Sequence, residues 1–396
     1  MPTLCDTVVV GAGIVGTAVA RLLGRSSVHV LDAGGPDLAG ATGHSPGYIS
    51  ELGYHPVLTA LATETMSLCE RLTGADPRVF DRVGSIEAVT TECGVDAQQA
   101  RRALAAKSGV TVHCLDPREA EALTPQCVDS RTALAALHFP DDAVTDAPQL
   151  TAMLRAQAEK AGVRFHWHTP AIRITERADH VEITTPSGTF AAARLVLATS
   201  VWARALADPL GVLVPVVPIR HPFVYGPTGH AAPDRQPFVR FPEHSIYGRW
   251  HGDRWGFGTR AHADHVADMV GRERADLRWD GTFEETMHQL SQHFKDRRLF
   301  APTKRLDGVF PATPDGLPMV GQLTDNVWVA VGALVTHALA SARVLTELMT
   351  GPADVADEAA QALAPARFAD LDAEAATALA IDAYHGRVAI ARSQHA

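Results

Sequence analysis

The stretch TVVVGAGIVGTAVARLLGRSSVHVLD (residues 7–32) reads as strand, turn, helix, strand. Val8, Val9 and Val10 form a β-branched run without polar alternation, as expected of a strand covered on both faces of a parallel sheet. Gly11, Gly13 and Gly16 follow with G-x-G-x-x-G spacing. The first allows a tight turn, the second lets the backbone approach a pyrophosphate, and the third lets a helix lie close on the strand. Ile14, Val15, Val19, Leu22 and Leu23 keep an apolar helical face, and Gly24 ends it. Val28, Val30 and Leu31 begin a second strand ending at Asp32, whose carboxylate can accept from both ribose hydroxyls of an adenosine. The reading is an α/β fold with a dinucleotide site. An acid at this position disfavours a 2′-phosphate, and the motif by itself leaves NAD and FAD open.

Around this unit, 396 residues exceed what one simple core needs, so two intertwined domains are expected. Hydrophobic residues make up 46% and charged residues 20%, as in ordinary globular proteins. A net charge of −10 argues against nucleic acid as the main partner. Five scattered cysteines without a C-x-x-C pair suggest neither a disulfide framework nor a zinc site. No apolar run has the length of a membrane span, and the first strand begins too early for a signal peptide, so a cytoplasmic protein is expected.

After Asp32 comes AGGPDLAGATGHSPGYISELGYHP, longer than an ordinary α/β connection and rich in small residues. Such a loop is suited to lying along an extended cofactor. The segment GATGHSPGYIS resembles that of the dimethylglycine oxidase and sarcosine dehydrogenase flavoproteins, in which a histidine followed after two small residues by glycine carries FAD covalently. The resemblance implies FAD as cofactor, attached through His44, with Thr42, Ser45, Pro46 and Gly47 around it and Ala33 beside the acid. An imidazole nitrogen can attack an electrophilic methylene at the flavin edge. From the residues alone, His44 can equally be an exposed loop histidine.

Farther along, Val57 to Leu72 has helical spacing, and VGSIEAVTTE reads as a strand. Residues 97–108 read as a surface helix, with Arg101 and Arg102 on a solvated face. Asp116 and Pro117 read as the N-cap and first position of a short helix. His166 and His168 lie two apart on one strand face and are read as surface or core residues rather than metal ligands. ARLVLATSVWA (residues 193–203) resembles the second signature of the family, with Ser200 where glycine is usual and Trp202 near the cofactor. LDGVFPATPDGLPMVGQL and NVWVAVGALVTHALASARVLTELMTG resemble the third. There Gly332, Val335, Thr336 and His337 are implied at the ring, with a helix N-terminus facing it. Leu339 is expected to add bulk where the family keeps space.

VPVVPIRHPFVYG and SIYGRWHGDRWGFGT read as long antiparallel strands roofing a site. By resemblance, His221 and Tyr247 face the substrate. A histidine there can take or relay the proton of a substrate ammonium. Arg240 and Arg249 are candidate anchors for a substrate carboxylate. His262, Asp264, His265 and Asp268 read as a solvated loop. The resemblance implies an FAD-binding domain of residues 1–82, 141–213 and 306–396, interleaved with an antiparallel-sheet substrate domain of 83–140 and 214–305. It implies oxidation of the C–H beside nitrogen of a secondary or tertiary amine, such as an N-alkylglycine, by hydride transfer to flavin, with oxygen or an electron-transfer protein as acceptor. The polar tail, residues 352–396, reads as helical, and a homo-oligomer is compatible with the sequence. Oxidation of a free D-amino acid, or a non-catalytic flavoprotein subunit, are the alternatives.

Overall fold

The computed structural model describes residues 4–24, 26–230, 235–262, 266–267, 269, 279, 281–351 and 358–386. The strand Leu4–Val10 lies at the centre of the first sheet, parallel to Val28–Leu31 on one side and to Gly188–Leu197 on the other. Arg164–His166 extends the sheet beyond Val28–Leu31, and Val327–Val331 and Met319–Gln322 extend it beyond Gly188–Leu197. Alternation along the central strand feeds two cores. Val9 packs with Val30 and Val196 under the helices Ile14–Leu22, Ala147–Lys160 and Ala338–Thr350. Val8 and Val10 join Leu195 and Leu197 on the opposite face. The apolar run thus has a buried partner for each direction in which its side chains point.

A second sheet has the order Lys304–Ala312, Val217–Tyr225, Arg254–Thr259, Ile246–His251, Phe238–Phe241, Ser85–Val89, Ala135–Phe139, His113–Leu115. Its pairings are antiparallel except that of Phe238–Phe241 with Ser85–Val89. The expected boundary at 306 falls inside Lys304–Ala312, which pairs with Val217–Tyr225 along its whole length. Three short strands, Tyr48–Ile49, Ala143–Thr145 and Phe80–Asp81, form a small sheet of their own.

Local signals set several elements. His55 caps Pro56–Thr73, and Gly74 ends it at φ 61°. Asp116 and Glu119 form a reciprocal capping box on Pro117–Leu123. No helix among the described residues is long and apolar enough to cross a membrane. Of the four residues read as a solvated loop, Asp264, His265 and Asp268 lie outside the described residues.

Candidate active site

The glycine turn is built by close approach. Gly11 has φ 101°, and a Cβ there would stand 2.5 Å from the Ala198 carbonyl oxygen. A Cβ on Gly16 would run into the Gly11 carbonyl oxygen, so Gly16 sets how closely the helix Ile14–Leu22 lies on the turn. Gly13 is the N-cap and has no side chain to cover the first turn. Thr42 reaches in from the long loop, its Oγ1 accepting from the Ile14 N–H at 3.1 Å. Asp32 accepts from the Ala12 N–H at 2.6 Å and the Gly34 N–H at 2.7 Å, joining the turn to the start of the loop. A carboxylate takes about four hydrogen bonds, so acceptor capacity remains.

From this turn a cavity of about 1870 Å³ runs to the second sheet. Small-molecule pockets are typically about 300–1,000 Å³, so this one has room for a dinucleotide and a substrate together. Gly11, Gly13, Ile14, Val15, Asp32 and Ala33 line its near end. Thr42, His44, Ser45 and Pro46 follow from the loop, Ser200 and Trp202 from the second signature, and Gly332, Val335, Thr336 and His337 from the third. His44 Nδ1 lies 2.9 Å from the Gly40 carbonyl oxygen. That oxygen can only accept, so Nδ1 donates to it, which leaves Nε2 as the nitrogen facing away from this contact. Ser200 sits at φ 51°, a left-handed conformation that glycine adopts more easily. His337 is buried at the head of Ala338–Thr350, and burial takes its pKa down to about 4.

At the far end, one row crosses the sheet: Phe223 opposite Gly258, Gly258 opposite Tyr247, Tyr247 opposite Arg240, Arg240 opposite Glu87. A Cβ on Gly258 would lie 2.6 Å from the Tyr247 hydroxyl, so the absent side chain leaves room for the phenol to cross that strand. It reaches His221, two residues from Phe223 on the same strand face, and its hydroxyl makes a short hydrogen bond to Nε2. His221 Nδ1 lies 2.6 Å from the Tyr384 hydroxyl, and His262 Nε2 lies 2.8 Å from that same hydroxyl. Burial first, then Arg260 and His262, hold His221 well below its ordinary pKa, so it is neutral near pH 7.

Arg240 donates to Glu87 at 2.6 Å and lies 3.4 Å from the Tyr54 hydroxyl. Arg101 donates to the same carboxylate at 3.3 Å and to the Leu52 carbonyl at 3.1 Å. The expectation of a solvated Arg101 is therefore corrected: its side chain is 9% exposed, because Glu87 on a neighbouring strand supplies the charge that lets it be buried. Arg102 is exposed. Two guanidinium groups around one carboxylate leave one positive charge at the cavity wall. Burial acts to raise the Glu87 pKa, but Arg240 and Arg101 hold it below the usual range. Arg240 leads in lowering that of Tyr54.

Three expected residues stand apart from the cavity lining: Gly16, Gly47 and Arg249. Gly47 has φ 69°, and its carbonyl accepts from the Thr145 N–H at 2.7 Å. Arg249, expected as a carboxylate anchor, donates instead to the Pro46 carbonyl at 2.5 Å and the Thr145 carbonyl at 3.3 Å. It ties the second sheet to the His44 loop. Leu339, expected to add bulk near the ring, is 5% exposed within the helix-side core and is not among the residues lining the cavity. His166 pairs with His29 on the adjacent strand at 3.0 Å, and His168 lies beyond that strand at φ 51°. Among the described residues no cluster of three or more His, Cys, Asp or Glu could hold a metal ion.

The family of FAD dependent oxidoreductases matches residues 6–348. The chain belongs to that family. Over 357 residues it is 27% identical to mitochondrial dimethylglycine dehydrogenase of Homo sapiens, covering 83% of this chain and 40% of that protein. It is 28% identical over 358 residues to the formaldehyde-forming 4-methylaminobutanoate oxidase of Paenarthrobacter nicotinovorans, covering 84% of this chain and 42% of that one. The chain thus spans less than half the length of these relatives. The crystal structure of glycine oxidase from Geobacillus kaustophilus has the same fold, with a TM-score of 0.78, 23% identity, and coverage of 92% of this chain and 98% of that one.

The residues present fit the family's FAD. The helix N-terminus at Gly13, which has no capping side chain of its own, would hold the pyrophosphate and Asp32 the ribose, leaving the His44 and His337 end of the cavity for the ring. Sequence reasoning passes over Glu87, Tyr54, Arg260 and Tyr384. Their neighbours come from distant segments, and the one available signal for Tyr384 is an aromatic closing an alanine-rich helix.

Proposed function

We propose that this flavoprotein oxidises the C–H beside nitrogen in a secondary or tertiary amine, specifically an N-substituted amino acid. The observation that carries the reading is the His221–Tyr247 pair facing the same cavity as the glycine turn. Two relatives bear names specifying N-methylated substrates, dimethylglycine and 4-methylaminobutanoate, which supports this class. A bound flavin supplies the acceptor for two electrons. The protein's own groups do the rest. An ammonium has no lone pair to assist loss of hydride from the adjacent carbon, so its proton must first be removed. Tyr247 and neutral His221 would take it. Arg240, in a cluster with Glu87 and Arg101 that carries one net positive charge, and with Tyr54 beside it, would hold the carboxylate. Water then hydrolyses the imine to an amine and a carbonyl compound. His44, through the Nε2 that its Nδ1 contact leaves available, would carry the flavin covalently, and oxygen or an electron-transfer protein would take the electrons onward.

Product analysis tests the substrate class. Formaldehyde or glyoxylate from N-alkylglycines supports the proposal. Ammonia from free D-amino acids, with N-alkylglycines inert, contradicts it. Acid precipitation tests the tether: flavin colour stays in the wild-type pellet and is lost from that of His44→Ala, whereas colour released from wild type refutes covalent attachment.

A further inference from the structure

The helix Ala373–Tyr384 brings its last residue to the side of His221 away from Tyr247. Tyr384 is 2% exposed, and its hydroxyl stands between His221 Nδ1 at 2.6 Å and His262 Nε2 at 2.8 Å. Together with the Tyr247 contact this makes an unbroken row of phenol, imidazole, phenol, imidazole. Tyr247, His221 and Tyr384 line the cavity, while His262 lies outside that lining. Both nitrogens of His221 are engaged, and a neutral imidazole donates from one and accepts at the other, so the row has a direction.

We propose that Tyr384 and His262 extend the His221–Tyr247 pair into a path that carries the substrate's ammonium proton out of the cavity to His262. This rests on the amine-oxidation reading above. In the transfer an N–H bond of the ammonium breaks and an O–H bond forms on Tyr247, as the original Tyr247 proton passes to His221 Nε2. The Nδ1 proton of His221 passes to the Tyr384 oxygen, and the original Tyr384 proton passes to His262 Nε2. Each tyrosine keeps one proton, His221 exchanges tautomer, the amine gains its lone pair, and His262 acquires the positive charge. No electrons change hands.

The surroundings suit this role. Among the described residues, the titratable and charged groups facing His221 are Tyr247 from one strand, Arg260 and His262 from just past the end of the next, and Tyr384 from the helix, while His385 stands against Tyr384 and His262. Phe310 from the neighbouring strand is apolar. Burial keeps the Tyr384 phenol well above its ordinary pKa, with Arg260 opposing, so its hydroxyl retains a proton to pass on. His385 Nδ1 bonds the Arg260 carbonyl at 3.0 Å, fixing the helix end against the sheet.

Tyr384→Phe removes the hydroxyl while keeping a ring against Phe310, 5.1 Å away between centroids. His262→Gln removes the terminal acceptor and keeps the test available if the first variant folds poorly. The anaerobic rate of flavin bleaching by an N-alkylglycine is measured against pH in holoenzyme. Near neutrality both variants are slower by on the order of 100-fold. Above the pKa of the amine, where the substrate arrives neutral, they rejoin wild type. A deficit equal at every pH, or none, overturns the path. A wild-type flavin that no N-substituted amine bleaches overturns the oxidation reading itself, and the path with it. An independent readout uses 2-aminoisobutyrate, which has no hydrogen on the carbon beside nitrogen. Its binding moves the ¹⁵N signals of His262 to their cationic positions in wild type and leaves them unchanged in Tyr384→Phe; unchanged signals in wild type contradict the proposal.

Discussion

Gly258 shows how one missing side chain organises the site. It sits between the strands of His221 and Tyr247, and the phenol passes over the space a Cβ would fill. Gly258→Ala should displace Tyr247 from His221 and slow flavin bleaching by about 100-fold, the effect expected of a misplacement of about 1 Å. Flavin content per protein should be unchanged, since the substitution is remote from the glycine turn. His337 gives a stability prediction. Its folded pKa of about 4 lies below the ordinary value of 6.5, so the unfolded chain binds the extra proton first as pH falls. The corresponding stability is complete above about pH 6.5 and is lost down to about pH 4, amounting to about 3 kcal/mol. Urea unfolding across that window should show a shallower pH dependence in His337→Gln than in wild type. The single-residue signals were unequally legible. Asp32 and the glycines announce themselves because backbone geometry demands those residue types in order. Arg101 did not, since nothing on its own helix reveals that Glu87 waits on a strand opposite.

Among the elements, the unit of residues 4–31 was readable nearly to its boundaries, because periodicity, turn and cap all lie within a few residues of each other. The long strands of the second sheet were readable from their alternation, but not which strands neighbour one another. The row from Phe223 to Glu87 joins segments far apart in the chain, and only register reveals it. The same limit hid Arg249, whose guanidinium fastens the Pro46 carbonyl across that distance. The helix Ile14–Leu22 is fitted tightly to its own turn, with no space left at Gly16. Gly16→Ala should push the helix away from the Gly11 carbonyl and open the turn. The ratio of flavin to protein absorbance in purified enzyme should fall severalfold, whereas full occupancy would show that the turn does not depend on that approach.

For the molecule as a whole, the parallel sheet presents the glycine turn, the loop and the helix head to one end of a cavity, and the second sheet closes the other end with His221, Tyr247 and Arg240. Residues read separately as cofactor and substrate groups thus face one space. What sequence could not supply was the closure: the helix ending at Tyr384 returns to a strand residue 163 positions earlier in the chain. An amine bound at this closed end would, on the proposed reading, pass its hydride to a flavin whose ring shares the cavity with it. The decisive experiment is anaerobic mixing of purified holoenzyme with a panel of N-alkylglycines while the visible flavin absorbance is recorded. Bleaching that saturates with amine concentration is expected, followed by release of one carbonyl product per flavin. Absorbance that stays oxidised with every N-substituted amine, in enzyme whose flavin dithionite readily reduces, would contradict that reading.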